Sequence, residues 1–146
     1  LARYLQQREG LTIITNSMSV CNVLSSSKNY VYITGGQAKG TTLSLVGLWA
    51  CNCLETISID MAFMGTSGFQ NFSGPTVESF PEAELKKKVL ERSTTTFVLC
   101  DSSKSQTSAL AQYALWSEID YLITDEFIET ERLKQIQQSV NVILVS

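Results

Sequence analysis

Apolar positions along the chain fall into short runs, and these alternate with stretches whose apolar residues recur every three to four positions. "LTIIT" (Leu11–Thr15), "YVYIT" (Tyr30–Thr34), "DMAFMG" (Asp60–Gly65), "TTFVLC" (Thr95–Cys100), "DYLIT" (Asp120–Thr124) and "NVILVS" (Asn141–Ser146) read as strands. "LARYLQQREG" reads as the end of an amphipathic helix, with Leu1, Tyr4 and Leu5 on one face and Gly10 at the left-handed stop. "NSMSVCNVLSSS" predicts a helix capped by Asn16 or Ser17, its apolar side formed by Met18, Val20, Cys21 and Leu24. "GLWACNCLETI" predicts another, starting at Gly47, with Leu48, Cys51 and Leu54 or Glu55 at turn spacing. "PEAELKKKVLERS" has Pro81 in its first turn, acids early and bases late, which suits the helix dipole. "ETERLKQIQQS" is the last helix, and "TSGFQNFSGPTVESF" and "DSSKSQTS" read as loops.

Strand and helix alternate throughout. That order predicts an α/β fold with a mostly parallel sheet and helices on both faces. In such sheets ligands bind outside the carboxyl ends of the strands. The segments leaving those ends are "TNS" (Thr15–Ser17), "TGG" (Thr34–Gly36), "GTSG" (Gly65–Gly68), "DSSK" (Asp101–Lys104) and "TDE" (Thr124–Glu126). All are small and polar. Glycine lets backbone amides approach an anion, hydroxyls donate to it, and helix N-termini add partial positive charge. Any one of these segments is explained as a turn or a cap. Five together predict a pocket for an anionic small molecule.

The loop at Gly35–Gly40 invites comparison with nucleotide-binding motifs and fails it. A P-loop needs Lys and Ser/Thr directly after its second glycine, but Gly40 is followed by Thr41 and Lys39 precedes it. No spacing gives G-x-G-x-x-G.

Length and charge narrow the picture further. The 146 residues suit one domain with its own core, and the net charge is −3. Phosphate backbones are held by clustered bases, so this chain by itself is not expected to bind nucleic acid. Lys86–Lys88 lie among Glu82, Glu84 and Glu91 and read as a solvated helix face. No apolar run is long enough to span a bilayer. Cys21, Cys51, Cys53 and Cys100 lack zinc spacing and read as small buried hydrophobes of a reducing cytoplasm. Histidine is absent, which removes histidine acid–base chemistry and histidine-ligated metals. No cofactor is implied.

The segments "LTIITNS", "YVYITGG", "LSLVG", "DMAFMGTSG", "EAELKKKVL", "CDSSK" and "DYLITD", in this order, resemble the effector-binding domain of the DeoR family of bacterial transcription regulators. The resemblance implies a fold like that of ribose-5-phosphate isomerases and CoA transferases, with its N-terminal part missing here. It implies a phosphorylated sugar as effector, and contact with operator DNA only through a winged helix-turn-helix domain absent from this chain. It also implies a homo-oligomer, a dimer or tetramer, with Trp49, Phe69, Phe72 and Trp116 as candidate interface or core aromatics. Family members carry a Gly-Thr-Thr phosphate loop before the first helix, which this chain lacks. Their "GADG" turn appears as Gly65-Thr66-Ser67-Gly68, with Ser67 in place of the aspartate. Serine is a poor general base, so the substitution disfavours the alternative of a sugar-phosphate isomerase.

Ligand-binding roles follow from the resemblance. Asn16 and Ser17 would cap a helix and donate to the ligand, and Gly35 and Gly36 would allow close backbone approach. Gly65, Ser67 and Gly68 would shape the sugar end. Lys86 or Lys87 would reach the pocket. Asp101 would orient Lys104, accept from a sugar hydroxyl, or simply cap its own turn. Lys104 would pair with phosphate or with an acid.

Overall fold

The computed structural model describes residues 1–40, 42–71 and 73–146, so Thr41 and Phe72 lie outside the described residues. The chain divides into two compact units, residues 1–56 and 57–146.

In the first unit a single helical turn, α1 (Ala2–Leu5), leads into β1 (Glu9–Thr15), α2 (Met18–Leu24) and β2 (Lys28–Ile33). β1 and β2 pair in parallel, with Thr12 opposite Tyr30 and Thr15 opposite Ile33. Gly10 does not stop the helix as its position predicted. It lies inside β1 at φ +73°, where the register shifts, so its left-handed backbone serves a bulge. Leu1 and Tyr4 are exposed rather than packed. Ser17 is the cap of α2, accepting from the Val20 N–H at 3.3 Å.

The predicted glycine loop contains a hairpin. β3 (Gln37–Lys39) pairs antiparallel with β4 (Ser44–Val46). Gly47, at φ +90°, caps α3 (Leu48–Asn52), which is shorter than predicted. Its buried side is Ala50 and Cys51, followed by Leu54, while Leu48 and Trp49 are exposed. Of the four cysteines read as buried, only Cys51 is; Cys21 and Cys100 are half-buried and Cys53 is exposed.

The second unit holds β5 (Ile59–Gly65), β6 (Thr76–Val77), α4 (Phe80–Arg92), β7 (Ser93–Leu99), β8 (Ala111–Gln112), β9 (Tyr121–Asp125), α5 (Thr130–Gln137) and β10 (Asn141–Val145). Its main sheet is parallel, in the order β10-β9-β7-β5. Side chains alternate across a strand. Ala62, Met64, Thr96, Val98, Leu122 and Thr124 point to one face and are buried. There Met64, Val98 and Leu122 join Ala83 of α4 and Ile136 of α5 in the core. The opposite face carries a row of rings, Phe63 on Phe97 at 4.9 Å and Phe97 on Tyr121 at 5.0 Å, both stacked. Met61 and Phe63 on that face stay exposed, so within this unit only one face is fully buried, not both as the apolar runs suggested.

The parallel strands predicted from sequence are present, distributed among the described residues over a two-stranded and a four-stranded sheet. Two short antiparallel pairs were not legible, β3–β4 and β6–β8. Phe69 and Trp116 are core residues in edge-to-face contact at 5.1 Å.

Leu122 is fully buried in the centre of the second unit's sheet. Leu122→Ala is expected to destabilise that unit by about 2–5 kcal/mol. Urea denaturation followed by the fluorescence of buried Trp116 measures the loss.

Candidate functional site

In the second unit all four strands of the main sheet run parallel, so their carboxyl ends share one edge. β5 ends at Gly65, β7 at Leu99 and β9 at Asp125. The turn Gly65–Gly68 and the 3-10 turn Ser102–Gln106 leave that edge side by side.

Hydroxyls and backbone groups hold the two turns together. Thr66 Oγ1 lies 3.0 Å from the Gly68 carbonyl and 2.9 Å from the Thr76 carbonyl, sharing its one proton between them. It also accepts from the Gly68 and Thr76 N–H groups, each at 3.1 Å. The Thr76 hydroxyl, fully buried, donates to the Gly68 carbonyl at 2.6 Å and accepts from Ala109 N–H at 2.9 Å. Thr107 Oγ1 donates to the Ser67 carbonyl at 3.0 Å, and Gln70 N–H donates to the Thr107 carbonyl at 2.7 Å. Phe69 N–H donates to the Lys104 carbonyl at 3.0 Å. From α5, Arg132 Nη2 donates to the Phe69 carbonyl at 2.6 Å. Gly68 stands at φ +154°, and a Cβ there would collide with the Thr107 backbone.

The acids at this edge are engaged locally. Asp101 accepts from the Ser103 N–H and hydroxyl, capping the 3-10 turn, and these bonds hold its pKa below the usual carboxylate range. Asp125 accepts from Ser102 N–H at 2.8 Å and Phe127 N–H at 3.0 Å, and its pKa is lowered chiefly by the Ser102 bond. Both carboxylates therefore remain charged at neutral pH and shape the turn. Lys104 is half-buried, and its charge adds to the lowering of Asp101. Cys100 lies beneath this turn, and burial followed by the Asp101 charge pushes its thiol up to about 12. The Thr124 hydroxyl opposes that rise weakly and has no hydrogen bond of normal geometry. A thiol in that state is not a nucleophile.

Lys86, on the second turn of α4, reaches the same edge. Its Nζ donates to the Gly65 carbonyl at 2.9 Å and sits 5.2 Å from the centroid of the Tyr113 ring. The side chain as a whole is only half-buried, but protein crowds its nitrogen. That desolvation lowers the pKa to about 8, with Glu82 pulling the other way. Lys87 is exposed, and half-buried Lys88 pairs with Glu91 at 2.9 Å, while Lys86 alone of the three reaches a strand end. Tyr113 was not singled out in the sequence. Its hydroxyl donates to the Gly65 carbonyl at 3.0 Å, and burial raises its pKa.

Gly65, Ser67, Gly68, Lys86, Asp101 and Lys104 are thus brought to one edge. The other expected site residues lie in the first unit, at the carboxyl ends of β1 and β2. Asn16 Nδ2 donates to the Leu45 carbonyl at 3.1 Å, and Leu45 N–H donates back to the Asn16 carbonyl at 2.7 Å, tying Asn16 to β4. Gly36, at φ +114°, packs so closely that a Cβ would lie 2.6 Å from the Val46 carbonyl oxygen. Gly35, at φ +70°, faces open space. Of these residues, Asn16, Ser17 and Gly36 have clear structural work within their own unit.

Two outcomes test this geometry. Gly68→Ala is expected to cost at least about 2 kcal/mol, because both its dihedral and the Thr107 backbone refuse a side chain. Chemical denaturation gives the value. Lys86 titrates near 8 when folded and at 10.5 when unfolded. Between those values the unfolded chain binds the additional proton, so stability rises with pH across the window. Below about 8 both states are charged and the fold carries the full cost of the desolvated ammonium. Lys86→Met removes this titration. The melting temperature of the wild type relative to that variant should climb from pH 8 to pH 10.5. A difference that stays flat would mean that Lys86 titrates normally.

Comparison with known proteins gives the site its setting. Residues 1–126 match the family model of the DeoR C terminal sensor domain. The HTH-type transcriptional regulator GlpR of Haloferax volcanii is 30% identical over 126 residues, 86% of this chain and 49% of that protein. The HTH-type transcriptional regulator IolR of Bacillus subtilis is 31% identical over 128 residues, 87% of this chain and 51% of that protein. A putative aga operon transcriptional repressor of Escherichia coli O157:H7 is 29% identical over 147 residues, 99% of this chain and 55% of that protein. The chain spans about half the length of the curated relatives it matches. With the family model matched along most of its length, the chain belongs to the DeoR C-terminal sensor-domain family.

Proposed function

We propose that this domain binds a phosphorylated sugar at the carboxyl ends of its strands, and that occupancy modulates operator binding by the longer regulator to which it belongs. The carrying observation is the second unit's edge, where Gly65, Ser67, Gly68, Lys86, Asp101 and Lys104 converge. Such an edge offers what a phosphosugar requires. Lys86 and Lys104 supply positive charge, and Ser67 supplies a hydroxyl. Asn16, Ser17, Gly35 and Gly36 offer small polar groups at the strand ends of the first unit, and ligand contact by them is a separate part of the proposal. Asp101 contributes as the cap of the 3-10 turn that presents Lys104.

The relatives' names as transcriptional regulators favour sensing over turnover. DNA contact would be made by a helix-turn-helix domain outside this chain, in a homo-oligomer whose symmetry matches its operator. No helix among the described residues is long and apolar enough to cross a membrane, and a cytoplasmic location is part of the proposal. To act as a switch, the ligand must bind one conformation of the regulator more tightly than another.

The test is a thermal-shift panel on the full-length regulator, with sugar phosphates beside their unphosphorylated counterparts, followed by operator release in a gel-shift assay. A true effector at a hundredfold excess over Kd should add about 2.7 kcal/mol and release operator DNA. A panel in which no phosphorylated sugar shifts the melting curve or the gel overturns the proposal. Turnover of ribose 5-phosphate by the domain would overturn the sensing reading in favour of an enzyme.

A further inference from the structure

The Gly65 carbonyl, the last of β5, accepts two donors at once, Lys86 Nζ at 2.9 Å and Tyr113 Oη at 3.0 Å. A carbonyl oxygen has two lone pairs, so both bonds are satisfied together. The same tyrosine turns its ring toward the ammonium, 5.2 Å from nitrogen to centroid. One side chain therefore bounds Lys86 with its ring and shares the lysine's hydrogen-bond acceptor.

Tyr113 can do this because it is itself fixed. It follows β8 directly, and its N–H donates to the Pro75 carbonyl at 3.1 Å. The β6–β8 pair, Thr76 opposite Gln112 and Val77 opposite Ala111, sets its place in the chain. The side chain is 2% exposed, in the core cluster with Met64 and Val98. Lysine, by contrast, is a compact charge on a flexible four-carbon stem that loses much rotamer freedom when held. Nothing in the lysine selects the one rotamer that delivers its charge to the end of β5. A buried aromatic face and a shared carbonyl do.

We propose that Tyr113 is the positioning residue of the anion site: its ring and hydroxyl hold the Lys86 ammonium at the carboxyl end of β5, ready for an anionic group. Tyr113 acts through Lys86 and does not touch the ligand. The ligand half of this inference rests on the phosphosugar reading above, whereas the geometric half does not. A lowered lysine pKa is consistent with a nitrogen held in this desolvated place.

The experiment uses the full-length regulator with its lysines reductively methylated with carbon-13, the Lys86 resonance being assigned by its absence in Lys86→Arg. In the wild type that resonance is expected upfield of the exposed lysines, displaced by the ring. Tyr113→Leu should return it to the exposed-lysine position, and Tyr113→Phe should restore the displacement. Inorganic phosphate is the binding probe, followed by phosphorus NMR. Tyr113→Leu and Lys86→Met should each weaken phosphate binding about tenfold, Tyr113→Phe less than threefold, and the double variant no more than Lys86→Met alone. Additive losses in the double variant would overturn the proposal, because they would mean that Tyr113 acts independently of Lys86. A wild-type Lys86 resonance coincident with those of exposed lysines would overturn it without any variant, which keeps the test decisive if Tyr113→Leu fails to fold. Wild-type protein that ignores phosphate while its Lys86 resonance is displaced would sink the anion reading and leave the tyrosine's hold on the lysine supported.

Discussion

Two threonine hydroxyls, that of half-buried Thr66 and that of fully buried Thr76, hold the candidate site in shape. Thr66 and Thr76 between them engage both backbone groups of Gly68 and reach Ala109 across the chain. Inside a protein an unpaired polar group is costly, and a hydroxyl with every partner in place is correspondingly specific. These side chains convert a glycine turn, floppy in isolation, into a fixed rim. Everything placed on that rim, from the Ser67 carbonyl to the Lys104 backbone, inherits its position from them.

The charged groups sit on this frame in two manners. Asp101 and Asp125 spend their lone pairs on nearby N–H groups, so they act as structural caps with charge to spare. Lys86 instead comes from a helix that packs against the sheet and ends its reach on a strand terminus. A desolvated ammonium is a stability cost in the empty protein, and an arriving anion would relieve it. Sites that must respond to a ligand are commonly built with such a cost.

Much of this was readable in the sequence, for identifiable reasons. β5, β7 and β9 show as apolar runs because one side of each is buried, and β1, β2 and β10 show by their apolar composition although none of their residues is fully buried. α4 shows through Pro81 and the order of its charges. The β3–β4 and β6–β8 pairs did not show, since strands of two or three residues are too short to carry a period. Tyr113 escaped for the same reason. It sits in an irregular segment, "ALAQYALW", where nothing marks one aromatic residue as different from another. Lys86 was legible as a basic residue early in a helix, but only the tertiary path of β5 distinguishes it from Lys87. Gly10 misled because a left-handed glycine serves a strand bulge as readily as a helix end.

The row of rings on the exposed side of the second unit's sheet has a consequence for how the strands find each other. Phe63, Phe97 and Tyr121 occupy adjacent places on three neighbouring strands, one ring to each. Since successive residues face opposite ways, sliding β7 by one position would bring Thr96 or Val98 to where Phe97 stands, and both stacks would vanish together. The pile of rings is therefore a registration mark. It rewards only the native alignment of the three strands.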